Sequence, residues 1–359
     1  MIGRVVYATR PRSLRLAPMN NSSGGQSKLS GEMIAIIAVI IAIIALIPAF
    51  IQDFPIIFGC GSIPAWIAGC EHSGDEHSGG ISPRQPPVEN QPPTPSFSLQ
   101  TDVILFVSKH GDKRYLFAMG RDDKNPNQLT DGSIAVYDPA WSPDHKSIAF
   151  ASDQDIYILT SLDSKPVLQR KTKGLANAMH PTWSPDGGLI AFTANNNDNN
   201  EVYVLTLAND EITQITNNSV DDNEPAWSPD GALIAFASNR DGTDGIFVVG
   251  SKGGNEQRLT NNQAKTSHPA WSPDGRLIAF SSLINRNREI FVSNCDGSGM
   301  HNITGNGSND DAPAWSPDGE WIVFESFRDG NNEIYIMHAD GSDQKNITRN
   351  PEGDYTPNW

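Results

Sequence analysis

The sequence predicts an all-β fold: a six-bladed β-propeller closed by its C-terminal strand, preceded by one transmembrane helix and a Pro-rich linker. Three observations predict it. Trp-Ser-Pro-Asp occurs five times, starting at Trp141, Trp183, Trp227, Trp271 and Trp315, and a sixth tryptophan, Trp359, ends Thr356-Pro357-Asn358-Trp359. The steps between these tryptophans are 42, 44, 44, 44 and 44 residues, the length of one four-stranded blade. Ahead of the repeats, residues 33–51 form a run of nineteen residues without a charge.

Taken in order, residues 1–32 are a basic tail with five Lys/Arg against one acid. As a helix, the apolar run at 33–51 would span roughly 28 Å, close to the thickness of a bilayer's hydrocarbon core. Arg4, Arg10, Arg12, Arg15 and Lys28 precede it, while Asp53, Glu71, Asp75 and Glu76 follow it. That asymmetry keeps the N-terminus cytoplasmic and sends the repeats across the membrane, to the periplasm or cell surface. A cleaved signal peptide is the competing reading, but no small-residue cleavage site closes the run. Ile67-Ala68-Gly69-Cys70 resembles a lipoprotein box, sixteen residues past the end of the run. Met1 and Met19 are alternative starts, and pairing of Cys60 with Cys70 is left open.

Residues 52–101 hold a juxtamembrane segment and then a linker with Pro83, Pro86, Pro87, Pro92, Pro93 and Pro95, which acts as an extended spacer. Two copies of Glu-His-Ser-Gly in the juxtamembrane segment read as polar linker. Residues 102–359 carry twenty Lys/Arg against thirty-six Asp/Glu, a surface that repels phosphate backbones and excludes nucleic acid as a partner.

The last full repeat shows how a blade is built. Ala312-Pro313-Ala314-Trp315 is a first strand and Ser316-Pro317-Asp318-Gly319 a tight turn, with proline fixing φ and glycine taking a positive φ. Second and third strands follow at Trp321-Ile322-Val323-Phe324 and Glu333-Ile334-Tyr335-Ile336-Met337, and an outer strand at Lys345-Asn346-Ile347-Thr348. Asn195 to Asn200 and Asn239-Arg240-Asp241-Gly242 read as loops between second and third strands. Blade two, with only Asp153-Gln154-Asp155 there, explains the shorter 42-residue step. Residues 102–130 supply three strands of blade one, and Tyr355 to Trp359 the missing first strand, so closure removes the open edges of the sheet.

These Trp-Ser-Pro-Asp-Gly units resemble the repeats of the TolB-type β-propeller family, related to the WD-repeat propellers, and the resemblance covers residues 102–359. It implies that each Trp packs between blades and that Ser, Pro, Asp and Gly build the turn. It also implies a docking platform in an envelope complex. TolB itself carries an α/β domain before its propeller, where this chain has an anchor and a linker. Relatives of prolyl oligopeptidase place the same propeller before a hydrolase domain, but no Gly-x-Ser-x-Gly elbow occurs here.

One position varies informatively. The residue before the proline of each first strand is Asp138, His180, Glu224, His268, Ala312 or Thr356. Asp138, His180, Glu224 and His268 are the candidate binding residues, and His180, Glu224 and His268 the candidate metal ligands, since two imidazoles and a carboxylate suit a divalent transition metal. The plainer reading is that each bonds a neighbouring loop. No residue is assigned as catalytic and no cofactor is expected. The functional expectation is a membrane-anchored, extracytoplasmic scaffold that binds a protein or peptide without catalysis. The alternative is an enzyme of the polysaccharide-lyase or hydrolase type, metal-dependent or not, with its site in the central funnel.

Overall fold

The computed structural model describes residues 102–359, apart from 124, 163–164, 197–198 and 261–263. The expected tail, anchor and linker, with Cys60 and Cys70, lie outside the described residues. Among the described residues no helix is long and apolar enough to cross a membrane.

Six four-stranded antiparallel sheets form the blades. Blade six runs outward from Asp310–Trp315 through Trp321–Ser326 and Glu333–His338 to Lys345–Asn346. Blade one joins the two ends of the repeat region: Asp354–Asn358 pairs with Val103–His110, which pairs with Lys113–Gly120 and then Asn127–Gln128. The closing strand is also tied within blade one and to blade two. The Trp359 Nε1–H donates to Asp102 Oδ1 at 3.0 Å, and the Trp141 N–H to Asn358 Oδ1 at 2.9 Å.

Repetition in sequence becomes repetition in packing. Phe106, Phe150, Phe192, Phe236, Phe280 and Phe324 are the largest fully buried side chains, one on the second strand of each blade. Each faces an aromatic ring on the third strand at 5.7–6.0 Å between centroids. Burying a side chain of this size contributes roughly 1.5–3 kcal/mol.

The Ser-Pro-Asp turn has a local cause. The Ser Oγ donates to the Asp Oδ1 at 2.5–2.7 Å in all five copies, and the same Asp oxygen accepts an N–H two residues on. The next backbone N–H after that donates to the Ser Oγ at 2.9 Å. Gly187, Gly231, Gly275 and Gly319 take the expected positive φ of 70–72°, and in blade two His145 takes it at 54°. Three indoles reach back to the preceding blade: Trp141 Nε1 to the Val103 carbonyl at 2.9 Å, Trp183 Nε1 to that of Ala140 at 3.1 Å and Trp315 Nε1 to that of Ala270 at 3.1 Å.

One loop reading is corrected. Asn195 to Asn200 is not an open loop: the strands Leu189–Asn196 and Asn199–Thr206 run through it, with Asn195 opposite Asn200. Continuous cross-strand pairing overrides the turn preference of asparagine there. Residues 239–244, which hold the Asn239-Arg240-Asp241-Gly242 segment, do leave the sheet. The short connection in blade two is a two-residue hairpin, with Asp153 and Gln154 both at positive φ.

Candidate functional site

Strand one of each blade carries a β-bulge at the proline. Its pairing with strand two shifts register between Tyr137/Ala140, Met179/Thr182, Asn223/Ala226, Ser267/Ala270 and Asp311/Ala314. The residue before the proline is left-handed in all six blades: φ is 47° at Asp138, 51° at His180, 56° at Glu224, 50° at His268, 50° at Ala312 and 44° at Thr356. Proline normally pushes its predecessor to an extended conformation, and a left-handed non-glycine residue costs about 1–2 kcal/mol. Such strain persists only where the surroundings over-determine it. The bulge turns these side chains inward, and with the prolines and tryptophans they line a cavity of about 310 Å³ at the axis of the ring.

The over-determination comes from hydrogen bonds across blades. The bulge N–H of Glu224 donates to Thr193 Oγ1 at 3.1 Å, that of Ala312 to Ser281 Oγ at 3.2 Å, and that of Thr356 to Glu325 Oε2 at 3.1 Å. Thr193, Ser281 and Glu325 occupy one position on strand two of the preceding blade, whereas blades two and four have Ala151 and Ala237 there. After each of those alanines the bulge carboxylate substitutes. The His268 N–H donates to Glu224 Oε2 at 2.6 Å, and the His180 N–H approaches Asp138 Oδ2 at 3.4 Å. Asp138 and Glu224 therefore stand where the strand-two oxygen is missing.

All four candidate binding residues line the same cavity. His180 Nε2 lies 3.6 Å from Asp138 Oδ2, and the rings of His180 and His268 meet edge to face at 6.4 Å. His268 sits between two carboxylates, with Nε2 3.3 Å from Glu224 Oε1 and Nδ1 2.9 Å from Asp311 Oδ1. Burial disfavours its charge, but Glu224 and Asp311 outweigh that and hold its pKa up to about 10. Burial likewise raises the Asp311 carboxyl, and His268 with Arg288 outweighs it, holding the group well below the usual carboxylate range. Burial, reinforced by the charge of Asp311, pushes Glu325 up to about 7. An imidazolium offers no lone pair to a metal, and among the described residues no three His, Cys, Asp or Glu side chains are grouped to hold one. The buried His180 Nδ1 and Thr356 Oγ1 have no hydrogen-bond partner among the described residues.

Asp311, Glu325 and Arg288 belong to the site although the pattern before the prolines does not contain them. The signal was one residue away. The residue two before each proline also varies (Tyr137, Met179, Asn223, Ser267, Asp311, Tyr355) while its surroundings repeat. Arg288 reaches this layer from strand three, with Nε 3.4 Å from Asp311 Oδ2 and Nη1 donating to Ser267 Oγ.

The fold recurs in known proteins. The structure of TolB from Acinetobacter baumannii is similar with a TM-score of 0.62 at 24% identity, over 72% of this chain and 66% of that one, a little under two-thirds of its length. The structure of a putative TolB from Agrobacterium tumefaciens gives 0.59 at 24% identity, over 68% of this chain and 87% of that one. Kuenenia stuttgartiensis hydrazine synthase gives 0.59 at 16%, over 71% of this chain and 46% of that one. At these identities the likeness is one of fold. Among curated proteins the sequence finds no match. The sequence pattern of the TolB beta propeller domain, however, matches residues 101–268 and 260–359. With that pattern spanning most of the chain, this protein belongs to the TolB β-propeller domain family.

Proposed function

We propose that this chain is a membrane-anchored, extracytoplasmic scaffold that binds a protein or peptide segment at the axis of its propeller, without catalysis. The observation that carries the reading is how the inward-facing charges are used. Glu224 and Asp138 bond the backbone of the next blade, and His268 is clamped between Glu224 and Asp311. A histidine with a pKa near 10 stays protonated at neutral pH and is a poor general base. The charges therefore form a fixed polar surface at the end of an open chamber, suited to recognition. Fold alone does not choose between binding and catalysis, since hydrazine synthase shares it.

The test is photo-crosslinking in intact cells from an unnatural residue at Asn223, next to the ring, against one at Leu168 on the outermost strand. A defined polypeptide captured from Asn223 and not from Leu168 is the expected result. No capture from Asn223 overturns the docking reading and moves attention to funnel chemistry at His180. For topology, a cysteine replacing the exposed Leu283 should react with a membrane-impermeant thiol reagent in intact cells. Reaction only after lysis would overturn the extracytoplasmic placement.

A further inference from the structure

The internal repeat supplies a comparison that singles out Arg114. Arg114 and Arg288 hold the same position on strand three, three residues before the aromatic that faces the outer strand (Phe117 and Phe291). Each points between the same two positions, two before the proline in its own blade and in the next. Around Arg288 these are Ser267 and Asp311, which give it a hydrogen bond and an ion pair. Around Arg114 they are Tyr355 and Tyr137, whose ring centroids each lie 4.9 Å from its Cζ. Among the described residues the Arg114 guanidinium has no hydrogen bond or ion pair, although its charge acts on Glu325.

A guanidinium set over aromatic rings keeps N–H donors for a ligand, and its fork matches a carboxylate through two parallel bonds. The rings hold the group in place, which reduces the entropy lost when it binds. Tyr137 is 43% exposed, so the site opens to solvent. Nearby Asp311 and Glu325 disfavour a doubly charged phosphate more than a singly charged carboxylate. Building on the docking reading above, we propose that Arg114, set against Tyr137 and Tyr355, binds the carboxylate of an Asp or Glu side chain in the docked peptide. The bound acid supplies the charge partner that Asp311 supplies to Arg288.

Panning a random displayed heptapeptide library against the full-length chain tests this. Recovered peptides should share an acidic residue, and Arg114→Gln should weaken their binding about tenfold to a hundredfold, the value of a bidentate charged pair. Arg114→Lys should also weaken it, because the charge survives but the fork does not. Arg114→Lys keeps the stacking cation if Arg114→Gln proves poorly folded by circular dichroism. Peptides without acids, or bound equally well by both variants, would overturn the Arg114 site and leave docking intact. That second outcome would mark Arg114 as a staple between blades one and two. Recovery of no peptide would overturn the docking reading, and the site with it.

Discussion

The Ser-Pro-Asp turn and the bulge before the inner proline are both repeated backbone devices, yet the sequence treats them in opposite ways. The turn keeps its residues in five copies, because each side chain makes the turn: Ser and Asp bond each other and two backbone N–H groups. The bulge keeps its backbone in all six blades while its side chain changes from Asp to His, Glu, Ala and Thr. Its conformation is imposed from outside, against the preference that the following proline sets, by an oxygen of the preceding blade. A position whose geometry does not depend on its own side chain can vary for another purpose, and these side chains face the axial cavity.

The largest expected effect comes from removing one copy of the bulge together with the closing strand. Ending the chain after Gly353 deletes Thr356, Trp359 and the pairing with Val103–His110, and should abolish cooperative unfolding of the propeller by circular dichroism. A closed ring that still melted in one sharp transition would show that closure contributes little.

Next comes the bulge side chain that does carry energy. His268→Ala leaves Glu224 and Asp311 facing each other across an empty position, and should cost about 2–4 kcal/mol in urea unfolding at neutral pH. The sign with pH is fixed by the direction of the shift. A histidine raised from 6.5 to about 10 stabilises fully below about pH 6.5, and its contribution fades as pH rises through 10. The difference between wild type and variant should therefore shrink in alkali.

Glu325 has the same sign as His268, in a lower pH range. Its folded pKa of about 7 lies above the ordinary 4.5, so the native state binds the proton more tightly. Its contribution is full below 4.5 and falls by up to about 3 kcal/mol as pH rises through 7. Glu325→Gln, compared by urea midpoint at about pH 5 and about pH 8, should flatten that part of the profile. An unchanged slope would move the titration to another group.

Smaller still is the turn itself. Ser228→Ala removes a donor to Asp230 and an acceptor for the Leu233 N–H, and should cost about 1–2 kcal/mol by urea unfolding. Smallest, and opposite in sign, Ala312→Gly should stabilise by about 0.5 kcal/mol, since glycine relieves the left-handed φ and alanine offers only a methyl in return. If both substitutions destabilised equally, the contrast between turn and bulge would fail.

Much of this was readable in the chain. The 44-residue step, the turn residues and the last tryptophan specify six blades and their closure because each repeat needs its neighbour to bury its apolar face. The ring of Asp138, His180, Glu224 and His268 was also legible, as variation inside an otherwise constant frame. The left-handed bulge was not, since Xaa-Pro alone argues for an extended predecessor. Nor was the substitution of Glu224 for a strand-two hydroxyl, which depends on Ala237 lying beside it in the same blade and on His268 in the next.

The sequence by itself determined the repeat, the turns and the order of strands, all of which follow from residues close to one another along the chain. Only the tertiary structure decided which charges meet. His268 pairs with Glu224 and Asp311, 44 and 43 residues away, while Arg114 finds two tyrosines where Arg288 finds an acid. The physical reason is that the ring brings equivalent positions of successive blades to one axis, where Coulomb interaction depends on distance in space and no local propensity reports it.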